Sequence, residues 1–253
     1  MVSAAAAEDA VRRARTLPNL RVGLHIVLAD GWSTLDAQLI PTIADPTGRM
    51  HGDMLSRGVR FFFHPAARRQ LEAEISAQFA AFARTGLALD HVNVHKHFHL
   101  HPTILSILLR VGKDYGMPAM RVPDESVWFA ARSVGAVRGM TQAFLKPWIS
   151  LMKSRLRRAG VFHNDQLFGL AASGAVDEAA LLGMLARIPR GVSEIYLHPA
   201  TRTLSVIAPS MRHYRHAEEL DALLSAPVRD ALEAFELRGG YVDARKAMGM
   251  ASV

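Results

Sequence analysis

Four histidines stand at alternate positions in "VNVHKHFHLHP", residues 92–102: His95, His97, His99 and His101. Successive side chains on a strand point to opposite faces, so an extended run would put all four on one face. Neighbours two apart on such a face are roughly 6–7 Å from one another. A metal–nitrogen bond is only about 2 Å long, so a single ion takes one or two of them and the others must serve differently. Neutral imidazole is a ready ligand for zinc and similar ions, and a catalytic ion keeps one position open for water.

Two more histidines close apolar, strand-like runs. "RVGLH" ends at His25, "LDHVNVH" at His95 and "SEIYLH" at His198. In α/β folds of barrel type the active site gathers at the carboxyl ends of the strands. Gly23 shares a face with His25 and is expected to leave space beside its ring. Asn93 shares a face with His95, and Glu194 and Tyr196 share one with His198; Pro199 holds His198 extended. One histidine at a strand end is ordinarily structural, but three in one chain point to a shared site. Two of them on a metal that activates water, with a third protonating a departing amine, would hydrolyse an amide. Such a site also needs a carboxylate ligand and a base.

The elements that must position these groups alternate between strand and helix, the mark of parallel βα units. Residues 4–16 read as a helix stopped before Pro18, and 20–30 as a strand running into a loop. Residues 31–65, punctuated by Gly and Pro, read as a long crossing. Leu71, Ile75, Phe79 and Phe82 form a helical stripe within 64–86, closed by Gly86. "LALDHVNVH" is the next strand. Residues 102–116 form a helix between Pro102 and Gly116. "AMRVPDE" reads as a short strand, 137–159 and 178–189 as helices, and "VSEIYLHP" as a buried strand. One or two helices close the chain. No domain boundary is evident, so residues 1–253 are expected to form one domain.

The chain has 253 residues, 50% hydrophobic and 21% charged, with 30 Lys and Arg against 23 Asp and Glu. The absence of cysteine removes disulfides and thiolate metal sites, so any metal must sit on His, Asp or Glu. The net charge of +7 favours acidic partners, yet no nucleic-acid-binding signature occurs and none is expected to bind. No run reaches the ~18 apolar residues of a membrane span, and "MVSAAAAEDAVRRARTLP" lacks a signal-peptide core, so a cytoplasmic location is expected.

The histidine run, with "RVGLHIVLADG", "RRQLEAEISAQFAAF", "YGMPAMRVP", "DQLFGLAASG" and "EIYLHPA", resembles the YdjC-like carbohydrate deacetylases, specifically their HpnK branch associated with hopanoid biosynthesis. The resemblance implies a modified (β/α) TIM-like barrel that removes acetyl from an N-acetylated sugar, such as an N-acetylglucosaminyl hopanoid lipid. It also implies one divalent metal ion, Zn2+ or Mg2+. The metal ligands then fall on His25 and His95, and the general acid on His198. His97, His99 and Arg121 would bind substrate or support the ligands. Asn93 stands where many relatives carry Asp. Relatives also open on a strand bearing an Asp-Asp pair, which does not occur in these 253 residues; the first barrel strand, one metal ligand and the base are expected to be missing with it. The resemblance makes a homodimer the expected assembly.

Two rivals follow from the same residues. One is a sugar- or lipid-binding relative without activity. The other is an unrelated metal-dependent barrel hydrolase drawing a carboxylate from Asp30, Asp124 or Glu125. Finally, residues 141–160 combine Phe144, Leu145, Trp148, Ile149, Met152 and Leu156 at helical spacing with Lys146, Lys153, Arg155, Arg157 and Arg158. They read as a core-packed helix or as one that contacts the membrane surface.

Overall fold

Hydrophobic alternation sets the centre of the first half of the chain. In the computed structural model, which describes residues 1–50, 52–126, 136–201 and 211–250, strand β1 (Val22–Ile26) follows helix α1 (Ala7–Ala14). A two-residue antiparallel pair, β2 (Gly31–Trp32) and β3 (Arg49–Met50), precedes α2 (Met54–Phe63) and α3 (Pro65–Ala83). Then come β4 (Leu89–Val94), α4 (Pro102–Asp114) and α5 (Ala136–Arg158). Strands β5 (Gln166–Phe168) and β6 (Ser193–Ile195) flank α6 (Glu178–Leu185), and α7 (His216–Leu224), α8 (Ala226–Leu232) and α9 (Tyr241–Ala247) close the order.

These elements divide between two compact units. The first comprises Met1–Arg121, Met152–His163 and Gly239–Val253. Here β1 and β4 pair in parallel, with Leu24 opposite Val92, His25 opposite Asn93 and Ile26 opposite Val94. The period of two sends Leu24, Ile26, Val92 and Val94 into the core and turns His25 and Asn93 to the other face. The parallel pattern continues through single bridges, Val92 to Met120 and Ala119 to Phe162. Helix α3 buries Leu71, Ile75, Phe79 and Phe82, the expected stripe, and each such side chain contributes about 1.5–3 kcal/mol. Buried Gln78 on α3 accepts from the Val27 amide and donates to the Val27 carbonyl, tying the helix to the chain leaving β1. Helix α4 starts on Pro102 and stops before Gly116, whose φ of +61° a side chain would oppose.

The second unit comprises Val122–Leu151 and Asn164–Arg238. Strands β5 and β6 pair in parallel, and Phe168, Val176, Leu181, Met184, Leu185, Ala222 and Val228 form its core. Buried Glu125 accepts from the backbone N–H groups of Leu170 and Ala171.

The fold is mixed α/β, and several expectations change. Among the described residues the strands form three two-stranded sheets, small and open, and the expected closed barrel is not shown. Around Met120, Pro118 and Pro123 bracket the segment, and a residue without an N–H limits a ladder to a single bridge. The stretch 31–65 contains α2, which Asp53 caps by accepting from the Ser56 amide. Strand β6 is half-buried, not buried, and ends three residues before His198. Helix α9 was not expected, and Pro147 lies inside α5.

Candidate active site

The parallel register places His25 and Asn93 side by side, and a chain of polar contacts runs through them. The Asp90 carboxylate lies 2.9 Å from His91 Nδ1, and His91 Nε2 lies 3.1 Å from Asn93 Nδ2. Asn93 Oδ1 in turn meets His25 Nδ1, and His25 Nε2 lies 3.3 Å from His95 Nδ1. The carboxylate assigns the protons along this chain. An ionised Asp90 only accepts, so His91 carries its proton on Nδ1 and presents a bare Nε2 to the Asn93 amide group. The Asn93 oxygen must then accept from His25 Nδ1–H. That leaves the His25 Nε2 lone pair aimed at His95.

Asp90 is secured from a second direction, accepting from the Tyr241 and Val242 amides at the start of α9. Burial pushes its carboxyl up, but the His91 contact and those two amides outweigh it and the pKa is lowered. Burial holds His25 down to about 3, against the opposing Asn93 contact, so its ring is neutral at pH 7. His95 is lowered by burial and by neighbouring Lys96, with Asp30 opposing.

Gly23 does not leave the expected space beside His25. A Cβ there would lie 2.5 Å from the His91 ring, so the bare backbone is where His91 packs. His91 and Asp90 were not among the residues singled out from sequence. The signal existed: His91, Asn93 and His95 alternate and share a strand face.

The four-histidine run is not a continuous strand. β4 ends at Val94, and residues 95–100 turn in a 3-10-like coil with Lys96 and His97 both left-handed, φ +53° and +54°. Non-glycine residues rarely adopt this conformation, and two in succession redirect the chain so that the four rings diverge. Lys96 reaches Asp30 at 2.8 Å, itself at φ +51°. His99 is fully buried, and its Nε2–H donates to the Arg121 carbonyl at 2.9 Å. The His97 and His99 ring centres are 6.1 Å apart. Burial lowers His99 to about 4 and His97 well below the usual imidazole range, with repulsion from His99, Arg121, His25 and His95 adding to the latter. His101 packs against Phe61, Phe62 and Phe98.

His198 belongs to the second unit. Its Nε2 lies 2.6 Å from the Tyr196 hydroxyl, its backbone N–H donates to Glu219, and its carbonyl accepts from His216 Nδ1 at 2.6 Å. Tyr214 stands edge-on at 4.9 Å between ring centres. Of the carboxylates considered as ligands, Asp124 pairs with Lys146 and Glu125 holds backbone amides.

The donor chemistry fits two positions of a metal ion. Bonds of 2.0–2.1 Å at tetrahedral angles put two ligand nitrogens roughly 3.3–3.4 Å apart, the separation of His25 Nε2 and His95 Nδ1. Among the described residues no group of three His, Asp or Glu side chains is arranged around such an ion.

The pattern of the family described as YdjC-like protein matches residues 1–234. The chain belongs to the YdjC-like family. The chain is 36% identical over 118 residues to a carbohydrate deacetylase of Brevibacillus brevis, covering 47% of this chain and 44% of that one. It is 31% identical over 137 residues to one of Geobacillus stearothermophilus, covering 51% and 52%. A carbohydrate deacetylase of Thermoanaerobacter pseudethanolicus is 21% identical over 222 residues, covering 88% and 76%. The match to the first two thus spans about half the length of those relatives. A crystal structure from Enterococcus faecalis V583, described as a candidate cellobiose-phosphate cleavage protein, superposes with a TM-score of 0.65 at 20% identity. It covers 91% of this chain and 81% of that one, a likeness of fold.

Proposed function

We propose that this YdjC-like chain belongs to the HpnK branch and removes acetyl from an N-acetylated sugar, with an N-acetylglucosaminyl hopanoid lipid as substrate. The observation that carries the reading is the proton-ordered chain from Asp90 to His25, which leaves one bare imidazole nitrogen 3.3 Å from a second. The similarity to carbohydrate deacetylases supports it.

His25 and His95 would hold one divalent ion, and two imidazole nitrogens favour Zn2+ over Mg2+, which prefers oxygen. When bound, the ion supplies a Lewis acid for the acetyl carbonyl and lowers the pKa of water. The chain's own residues do the rest. Asn93 fixes the His25 tautomer, and Asp90 with His91 fixes Asn93. His198, steadied by Tyr196, would deliver a proton to the departing amine nitrogen. His97, His99 and Arg121 would shape the sugar site. One carboxylate of the family's Asp-Asp strand would complete the ligands and the other would act as base, and the parallel ladder would form part of one (β/α) barrel domain.

The contact of residues 141–160 with lipid is proposed for their exposed part alone: Ile149, Met152 and Leu156 are buried, whereas Phe144 is 81% exposed. A homodimer is proposed as the assembly. Family membership removes the unrelated hydrolase as a rival. The inactive binder keeps one observation in its favour, the absence of a third ligand among the described residues.

Zinc titration calorimetry and acetate release from an N-acetylglucosaminyl lipid test the reading. His25→Ala and His95→Ala should each lose zinc and turnover together, whereas His198→Ala should keep zinc and lower kcat on the order of 10²-fold or more. Full zinc occupancy in both single variants would sink the metal assignment, and zinc loss in His198→Ala would make that residue a ligand.

A further inference from the structure

Helix α2 carries large apolar side chains on its outside. Leu55 is 81% exposed, Val59 55%, Phe62 44% and Phe63 74%. At 3.6 residues per turn these four fall within an arc of about 100°, and buried Gly58 and Phe61 lie outside it. A stripe of this size on a short helix is unusual for a surface facing only water.

The charge around the stripe identifies what would cover it. From Met54 to Leu71 there are four arginines and no carboxylate. Arg57 turns inward to the Leu28 and Ile43 carbonyls. Arg60, Arg68 and Arg69 stay exposed, although Arg60 also donates to the Thr42 carbonyl and Arg68 to the Phe61 and Phe62 carbonyls, with the Arg68 guanidinium 5.8 Å from the centre of the Phe62 ring. Apolar side chains flanked by exposed arginines match an anionic lipid surface, with rings entering the acyl boundary and guanidinium groups meeting the headgroups. A second copy docked on the same face by a two-fold axis would bring arginine against arginine.

We propose that α2 is a docking face for an anionic lipid bilayer. Its inner side supports a role in delivery. Phe61 packs on Phe98 at 5.7 Å between ring centres, and Gly58 lies against His101, so α2 rests directly on the histidine turn. A sugar carried on a membrane lipid would then meet the site from the docked side. The lipid contact itself does not depend on the deacetylase reading, because vesicle binding is measured without turnover.

The experiment is co-sedimentation of the purified chain with vesicles of equal parts phosphatidylglycerol and phosphatidylcholine, and with phosphatidylcholine alone. Binding is expected on the anionic vesicles at low salt and should weaken at about 0.5 M salt. Leu55→Ser with Phe63→Ser should lower it ~10-fold or more without changing circular dichroism or Tm. Arg69→Glu should lower binding to anionic vesicles while leaving the fold intact. No binding to anionic vesicles, or full binding by the Leu55→Ser, Phe63→Ser variant, overturns the proposal. So does a loss produced by Arg155→Gln, Arg157→Gln and Arg158→Gln with none from α2. A dimer that dissociates in the Leu55→Ser, Phe63→Ser variant without any vesicle binding would assign the face to a second copy instead.

Discussion

The amide of Asn93 faces an imidazole on either side, donating to His91 and accepting from His25. No other uncharged side chain of its size offers a donor and an acceptor in those directions. Replacing it with Ala frees the His25 ring and lets the proton move to Nε2, the nitrogen proposed as a ligand. Asn93→Ala should therefore weaken zinc binding by roughly 10–100-fold, the usual effect of removing a partner that orients a ligand. Titration calorimetry reads this directly, and unchanged affinity would mean that the chain from Asp90 has no part in holding the ion. His99 donates Nε2–H to the Arg121 carbonyl, while its buried Nδ1 has no hydrogen-bond partner among the described residues.

At the scale of elements, two glycines at close approaches should respond differently to the same change. Gly23 on β1 abuts the His91 ring, which hydrogen bonds on both nitrogens hold in place. Gly112 on α4 meets the Met117 side chain along its length, a Cβ there lying 2.8 Å from the terminal methyl, 3.0 Å from the sulfur and 3.1 Å from Met117 Cβ. A methionine end swings aside easily, whereas the ring moves only by giving up its partners. Gly23→Ala should cost about 1–3 kcal/mol and loosen zinc binding as well. Gly112→Ala should cost less than Gly23→Ala, since the end of Met117 can swing although its Cβ must shift slightly, and alanine adds helix propensity. Urea unfolding compares the two, and equal costs would remove the distinction.

For the molecule as a whole, buried neutral histidines make stability depend on pH. Burial lowers His99 to about 4 from an ordinary 6.5, so between those values the unfolded chain binds a proton that the folded one refuses. Stability from this group is therefore full above pH 6.5, declines as pH falls, and reaches its floor near pH 4. The slope approaches about 1.4 kcal/mol per pH unit within that window, on the order of 3 kcal/mol in all. His25, lowered to about 3, acts in the same direction. Unfolding free energies from pH 7 to 4.5 should fall steeply in wild type and less steeply in His99→Gln. Parallel slopes would show that His99 titrates normally in the fold.

Local pattern alone determined a good part of this protein. The Leu71–Phe82 stripe, the proline and glycine that bound α4, and the apolar strands around His25 and His95 all follow from periodicity and turn chemistry within one segment. The residue types also sufficed to bring His25 and His95 forward, since strand ends in α/β folds collect chemistry. Other features depended on neighbours distant in the chain. Left-handed Lys96 and His97 break the alternation that would have aligned four histidines, a strain that no propensity of either residue foretells. The tautomer of His25 is set by a carboxylate 65 positions further along, through two intervening side chains, because a proton's place depends on the whole hydrogen-bond chain. The exposed apolar stripe of α2 lies within residues 31–65, which read in sequence as a long crossing. Only packing decides which side of a helix is covered, and here it covered Gly58 and Phe61 and left Leu55, Val59, Phe62 and Phe63 outside.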